Sequence, residues 1–154
     1  MSKITINFLK NKIDYSGKYP VLIWKGEPRT PKIILEYESE KAFIKTWWEN
    51  VEDYILVKFL RFKQSTKTIN SFRKCYAIRQ KKSLKFILTK NNFPYKGFDH
   101  QILWIADDQD IEKALDFAFE EYKDKDYIYF QNLLQTQSVK GLTHFHFLTL
   151  KKTI

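Results

Sequence analysis

Apolar and polar positions change period several times along this chain. Over residues 1–36 the apolar stretches are short, Ile4-Ile6-Phe8 and Val21-Leu22-Ile23-Trp24, and Ser16-Gly17, Gly26, Pro28 and Pro31 interrupt them. That pattern predicts brief strands and turns, with residues 32–36 as one more strand. Ser39 then has the chemistry of a helix N-cap, and Glu40 suits the first turn of a helix dipole. Phe43, Trp47 and Val51 follow at spacings of four, so a helix is expected over 39–51. Residues 54–62 are dense in β-branched and aromatic side chains and predict a strand, with a continued helix as the alternative.

Three more strands are expected at 72–79, 84–89 and 100–106, joined by connections at 64–70, 80–83 and the turn-rich 91–97. Together they predict an antiparallel meander. Asp107-Asp108 opens a second helix near 108–123, with Ile111, Leu115, Ala118, Phe119 and Tyr122 as its buried stripe. Glu112, Asp116 and Glu120 fall on its outer side. The chain then reads DYIYFQN, LLQTQSVKGLT, HFHFLTL over residues 126–150: strand, polar loop, strand. No repeat, linker or low-complexity tract intervenes. The expectation is a single α+β domain over 1–154, a twisted and mainly antiparallel sheet with two principal helices.

At 154 residues the chain is long enough to bury a core. Hydrophobic residues make up 44% and aromatics 17%, as in a folding domain. Cys75 is the single cysteine, so no disulfide can form within the chain. Met1-Ser2-Lys3 leads into no signal-peptide core, and no apolar run approaches a membrane span. A soluble protein of the cytoplasm or nucleus is expected, with no membrane partner.

The net charge of +9 is unevenly placed. Residues 54–98 hold twelve basic side chains and no acid, whereas residues 99–126 hold ten acids against three lysines. A basic middle third is the footprint expected of a surface that meets phosphates, with Arg73, Lys74, Arg79, Lys81 and Lys82 as its candidates. A solvated basic face is the plainer explanation. Four glycines leave no room for a glycine-rich phosphate loop, and one cysteine cannot make a zinc knuckle. No metal or cofactor is expected.

Strand alternation puts His144 and His146 on one face, with Phe145 and Phe147 on the other. His100 is the third of the three histidines. A neutral imidazole can attack phosphorus if a neighbour fixes its tautomer and donors hold the phosphate oxygens. Asn132, Gln137 and Ser138 lie just upstream and are of the right kind. Ordinary strand histidines satisfied by hydrogen bonds are the competing explanation.

Two resemblances follow from these residues. The order Asn91-Asn92-Phe93-Pro94-Tyr95, His100-x-x-Leu103-Trp104, Phe130-x-Asn132, Ser138-Val139 and His144-Phe145-His146 resembles a large uncharacterised family found mostly in fungi and in some large DNA viruses. It covers residues 91–150 and implies no activity, though a structural or virion-associated role joins the alternatives. The arrangement of strand, acid-capped helix, strand ending in Asn, Gln-Ser-Val loop and alternate histidines is also similar to the histidine-triad nucleotide-binding fold. That resemblance implies nucleotidyl hydrolysis or transfer through a histidine intermediate. It implies His146 as nucleophile, His144 as its partner, Ser138 and Asn132 on the phosphate and the histidine, and His100 opening the strand before the helix. Leu148 stands where a third histidine of the triad pattern is expected, and Gly141-Leu142-Thr143 are additional to it. A non-catalytic module binding nucleic acid through 54–98 is the competing class.

Overall fold

The computed structural model describes residues 4–79 and 84–151. The first helix, α1 (Ile6–Lys10), replaces the strand expected around Ile4-Ile6-Phe8. Thr5 caps it by accepting from the Phe8 N–H at 3.0 Å. Ile6 and Leu9 are buried three residues apart, so helical spacing prevails over the apparent alternation. Two short strands follow, β1 (Ile13–Asp14) and β2 (Val21–Leu22).

The long helix α2 (Pro31–Trp47) begins well before Ser39. Its cap is Thr30, whose hydroxyl accepts from the Ile33 N–H at 3.2 Å. Pro31 follows in the first turn, where its missing N–H costs nothing. Residues 32–36 are therefore helical and Ser39 is an exposed mid-helix residue. The proline that suggested a broken strand is a helix starter.

The strand expected at 54–62 is also corrected, because α3 (Val51–Lys58) occupies most of it. Asn50 Oδ1 accepts from the Asp53 N–H at 2.8 Å. Glu52 and Asp53 sit in the first turn, where acids suit the helix dipole. Tyr54, Ile55 and Leu56 are buried together, and packing overrides their β propensity.

The connection expected at 64–70 is instead β3 (Gln64–Ile69), which forms a separate two-stranded hairpin with β4 (Phe72–Ala77). Asn70 and Ser71 turn the hairpin at φ 51° and 70°. This is the left-handed backbone that two-residue hairpins need. β3 has no apolar alternation to announce it. The meander is thus interrupted, since β4 pairs with β3 alone and not with the next strand.

That next strand, β5 (Phe86–Lys90), pairs with β6 (Phe98–Ile105). A 3-10 turn at Asp108–Asp110 leads into α4 (Ile111–Tyr122), as the acidic cap promised. The last two strands are β7 (Tyr127–Asn132) and β8 (His144–Leu150). The main sheet runs β1-β2-β7-β8-β6-β5, with β2 and β7 parallel and every other pair antiparallel. The fold is α+β on a mainly antiparallel sheet.

β8 lies between β6 and β7, and its two faces have different fates. Phe145 and Phe147 join Leu103, Ile105, Leu115, Ala118 and Tyr122 in a core beneath α4. His144 and His146 point to the opposite face, toward α2 and α3. On that face Leu148 packs with Leu9, Tyr95, Phe98, Ile128 and Phe130. Among the described residues no helix is long and apolar enough to cross a membrane.

Candidate functional site

Register brings all three histidines together. His144 pairs across to Trp104 of β6, His146 to Ile102, and Leu148 to His100. His100 and His146 are therefore diagonal neighbours on one face. His100 Nε2 lies 2.8 Å from His146 Nδ1. The Tyr95 N–H donates to His100 Nδ1 at 3.3 Å, which leaves His100 protonated on Nε2. His100 therefore donates to His146 Nδ1, and His146 carries its own proton on Nε2. Asn132 Nδ2 lies 3.2 Å from His146 Nε2, so in that orientation two donors would face each other. The chain of donors thus turns Asn132 with Oδ1 toward His146 and its amino group away. Both nitrogens of His146 are engaged.

His144 is held differently. Its Nδ1–H donates to the Leu142 carbonyl at 2.8 Å, two residues back along the chain. That bond fixes the tautomer with a lone pair on Nε2. Among the described residues no enclosed side-chain nitrogen or oxygen lacks a hydrogen-bond partner. His144 Nε2 has no such partner, so this atom opens into the adjoining cavity although the residue is only 6% exposed.

All three imidazoles are held neutral. Burial, with Arg29 adding to it, pushes His100 down to about 3. Burial and then the neighbouring His100 and His144 hold His146 well below the usual histidine value. Burial also lowers His144, against a smaller opposing effect of the Leu142 carbonyl.

The cavity above them measures about 740 Å³. Its polar wall is a connected set. Glu27 and Arg29 form a two-point ion pair at 2.8 and 2.9 Å. The Arg29 guanidinium lies 4.7 Å from the centre of the Tyr37 ring, a cation–π contact. Tyr37 meets Phe93 edge-on and hydrogen-bonds the Ser138 hydroxyl. Asn91 approaches the His100 ring at 3.4 Å. The other wall is apolar and belongs to the core shared by α3, β6 and Val139. Lys41, Lys45, Lys74 and Lys90 supply further cationic side chains to the lining.

The structure gathers His100, Asn132, Ser138, His144 and His146 around this one space. Gln137 does not line it; its Nε2 donates to the Asn132 backbone carbonyl at 2.8 Å and steadies the end of β7. Of the described basic candidates only Lys74 reaches the cavity, with Nζ 2.6 Å from the Lys45 carbonyl. Arg73 is exposed on the hairpin, and Arg79 pairs with the buried Asp53. Lys81 and Lys82, with the rest of the connection at 80–83, lie outside the described residues. Glu27, Arg29 and Tyr37 were not foreseen. Their signal was the helix start at Thr30-Pro31, which would have put Tyr37, Lys41, Ile44 and Trp48 on one face. Among the described residues no group of three or more His, Cys, Asp or Glu side chains is placed to hold a metal ion.

No protein-family model matches the chain, and no curated protein does. Among solved structures, the crystal structure of HTC1 is similar over 80% of this chain and 76% of HTC1, with 18% identity and a TM-score of 0.48. A likeness of that size carries no conclusion about activity.

Proposed function

We propose that this protein binds a nucleotide, or a nucleotide end of nucleic acid, and transfers or hydrolyses its phosphoryl linkage through a histidine. The observation that carries this reading is His144. It is a neutral imidazole, fixed through Nδ1–H to a backbone carbonyl, with its Nε2 lone pair facing a cavity whose lining includes Arg29 and several lysines alongside Glu27, Glu40 and Glu49. In the step we assign, His144 Nε2 forms an N–P bond as the bond from phosphorus to the leaving group breaks. The leaving group departs with that electron pair and takes a proton from water. A second water then cleaves the N–P bond and restores the imidazole. The Ser138 hydroxyl and, with the Asn132 amide turned so that Oδ1 accepts from His146, its amino group are the donors for the phosphate oxygens.

This exchanges the roles that the histidine-triad resemblance implies. His146, with both nitrogens engaged, is the residue that orients Asn132, and His144 is the nucleophile. Substitution tests the assignment. His144→Asn keeps a donor for the Leu142 carbonyl and removes the lone pair, so turnover of a nucleoside phosphoramidate should fall at least about 10³-fold while nucleotide binding survives. A nucleotidyl adduct trapped in the wild type should map to the peptide bearing His144. Unchanged turnover in His144→Asn would sink the assignment. A panel of nucleotides that neither turns over nor raises the melting temperature would sink the reading itself.

A second reading rests on residues 54–98, with twelve cations and no acid. In it the protein binds nucleic acid without chemistry. Affinity for a single-stranded oligonucleotide should then fall steeply with salt, with a slope of about −0.7 for each phosphate neutralised. Fluorescence anisotropy from low to physiological salt measures this, and no binding even at low salt would remove it.

A further inference from the structure

The cavity carries more positive charge than its own acids answer. Six cations line it, Lys25, Arg29, Lys41, Lys45, Lys74 and Lys90, against the three acids Glu27, Glu40 and Glu49. Each acid already has a partner. Glu27 holds Arg29, Glu49 holds Lys67 at 2.8 Å, and Glu40 accepts from the Tyr54 hydroxyl at 2.9 Å. Among the described residues none of the five lysines is paired with an acid. Lys25, Lys41, Lys45 and Lys90 are exposed, whereas His100, His144 and His146 are buried. The cations thus stand at the rim and the neutral imidazoles at the floor. One terminal phosphate brings only about two negative charges, fewer than this rim answers.

Like charges are also set against each other. Lys41 and Lys45 stand one turn apart on α2, and Lys67 lies directly opposite Lys74 across β3 and β4. Both arrangements cost stability unless an anion answers them. Glu49 answers Lys67, whereas Lys74 Nζ has only the Lys45 carbonyl at 2.6 Å. The rim continues from there onto the hairpin. The Glu49 N–H donates to the Cys75 carbonyl at 2.9 Å, and Trp48 bridges to Cys75, so β4 runs alongside the end of α2. Cys75 and Ala77 pack into the core, so alternation turns Phe72, Lys74 and Tyr76 to the other face of β4. Phe72 is 69% exposed. Exposed rings beside lysines are how proteins hold single strands: cations meet the phosphates and a base stacks on the ring.

We infer that the ligand is the phosphate-bearing end of a single-stranded nucleic acid. The terminal phosphate reaches His144, and the following nucleotides leave the cavity past Lys45 and Lys74 and along β4, where a base stacks on Phe72. This rests on the phosphate reading above and names its substrate class. The depth of the imidazoles selects an end. An internal phosphate would reach His144 only with both flanking nucleotides drawn into the cavity, whereas a terminal one draws in a single neighbour. The uncompensated lysines then meet the phosphates that follow.

Calorimetry at one salt concentration with three probes tests it: an oligothymidylate phosphorylated at both ends, the same oligonucleotide closed into a circle, and ATP. The linear strand should bind at least about tenfold tighter than the circle, which has no end to insert, and than ATP, which does not reach the hairpin. Phe72→Ala changes an exposed side chain, so the fold should tolerate it. It should weaken the linear strand about fivefold or more and leave ATP unchanged. A circle that binds as tightly as the linear strand overturns the inference and favours nucleic-acid binding without chemistry. ATP binding as tightly as the linear strand overturns it and leaves the nucleotide reading standing. A linear strand that binds Phe72→Ala as it binds the wild type overturns the path along β4. No binding by any of the three overturns the inference and the phosphate reading together.

Discussion

At the scale of single residues, the chemistry turns on which nitrogen of each imidazole is spoken for. The Tyr95 N–H starts a chain of donors through His100 and His146 that ends on Asn132, and His144 stands apart from it, anchored by its own backbone. The attack proposed for His144 requires its neutral form. Burial lowers its pKa, so the neutral form persists below the ordinary histidine range. The rate should fall only as pH drops through a value under roughly 6.5. A pH profile of kcat/KM measures the position of that acid limb. A limb centred above about 7 would mean that a different group is titrating.

At the scale of elements, β8 decides what each of its positions can become. Leu148 invites a third histidine on the triad pattern, yet register sets it opposite His100 and packing encloses it among Leu9, Tyr95, Phe98, Ile128 and Phe130. It is 0% exposed. Leu148→His removes apolar burial and brings a polar ring among carbon atoms, so it should destabilise the protein by about 2–5 kcal/mol. At this chain length that is a fall in melting temperature of at least about 5 °C. Thermal unfolding followed by circular dichroism reads it directly, and a variant as stable as the wild type would contradict the packing described for this face.

At the scale of the whole molecule, the three buried neutral histidines couple folding to pH. In the unfolded chain each titrates near the ordinary value, roughly 6.5. In the folded protein each has a lowered pKa, His100 to about 3. Below roughly pH 6.5 the unfolded state therefore binds more protons than the folded one. The stability these groups contribute is complete above that value and is lost as pH falls toward the folded values. Denaturant melts between about pH 7 and pH 5 should show falling stability, by up to about 1.4 kcal/mol per pH unit for each proton taken up. A flat profile over that window would mean the imidazoles are not enclosed in solution. His100→Gln should make the slope shallower.

Periodicity and end signals in the sequence determined the α4 stripe, the strands β4 to β8, and the shared face of His144 and His146, because each depends on neighbours a few residues apart. The chemistry of Asn132 and Ser138 was legible for the same reason, as both stand next to the histidine strand. Tertiary structure decided the rest. Val51 to Lys58 is helical because Asn50 caps it, a local signal, and because its apolar residues find a core, which no local propensity records. β3 exists because β4 pairs with it. His100 reaches His146 because β6 and β8 are adjacent in a register set by strands far apart in the chain. Arg29 and Tyr37 join the site only because α2 crosses over it. The roles proposed for the two clustered histidines rest on single hydrogen bonds, to Leu142 and to His100, whose partners only the folded backbone brings within reach.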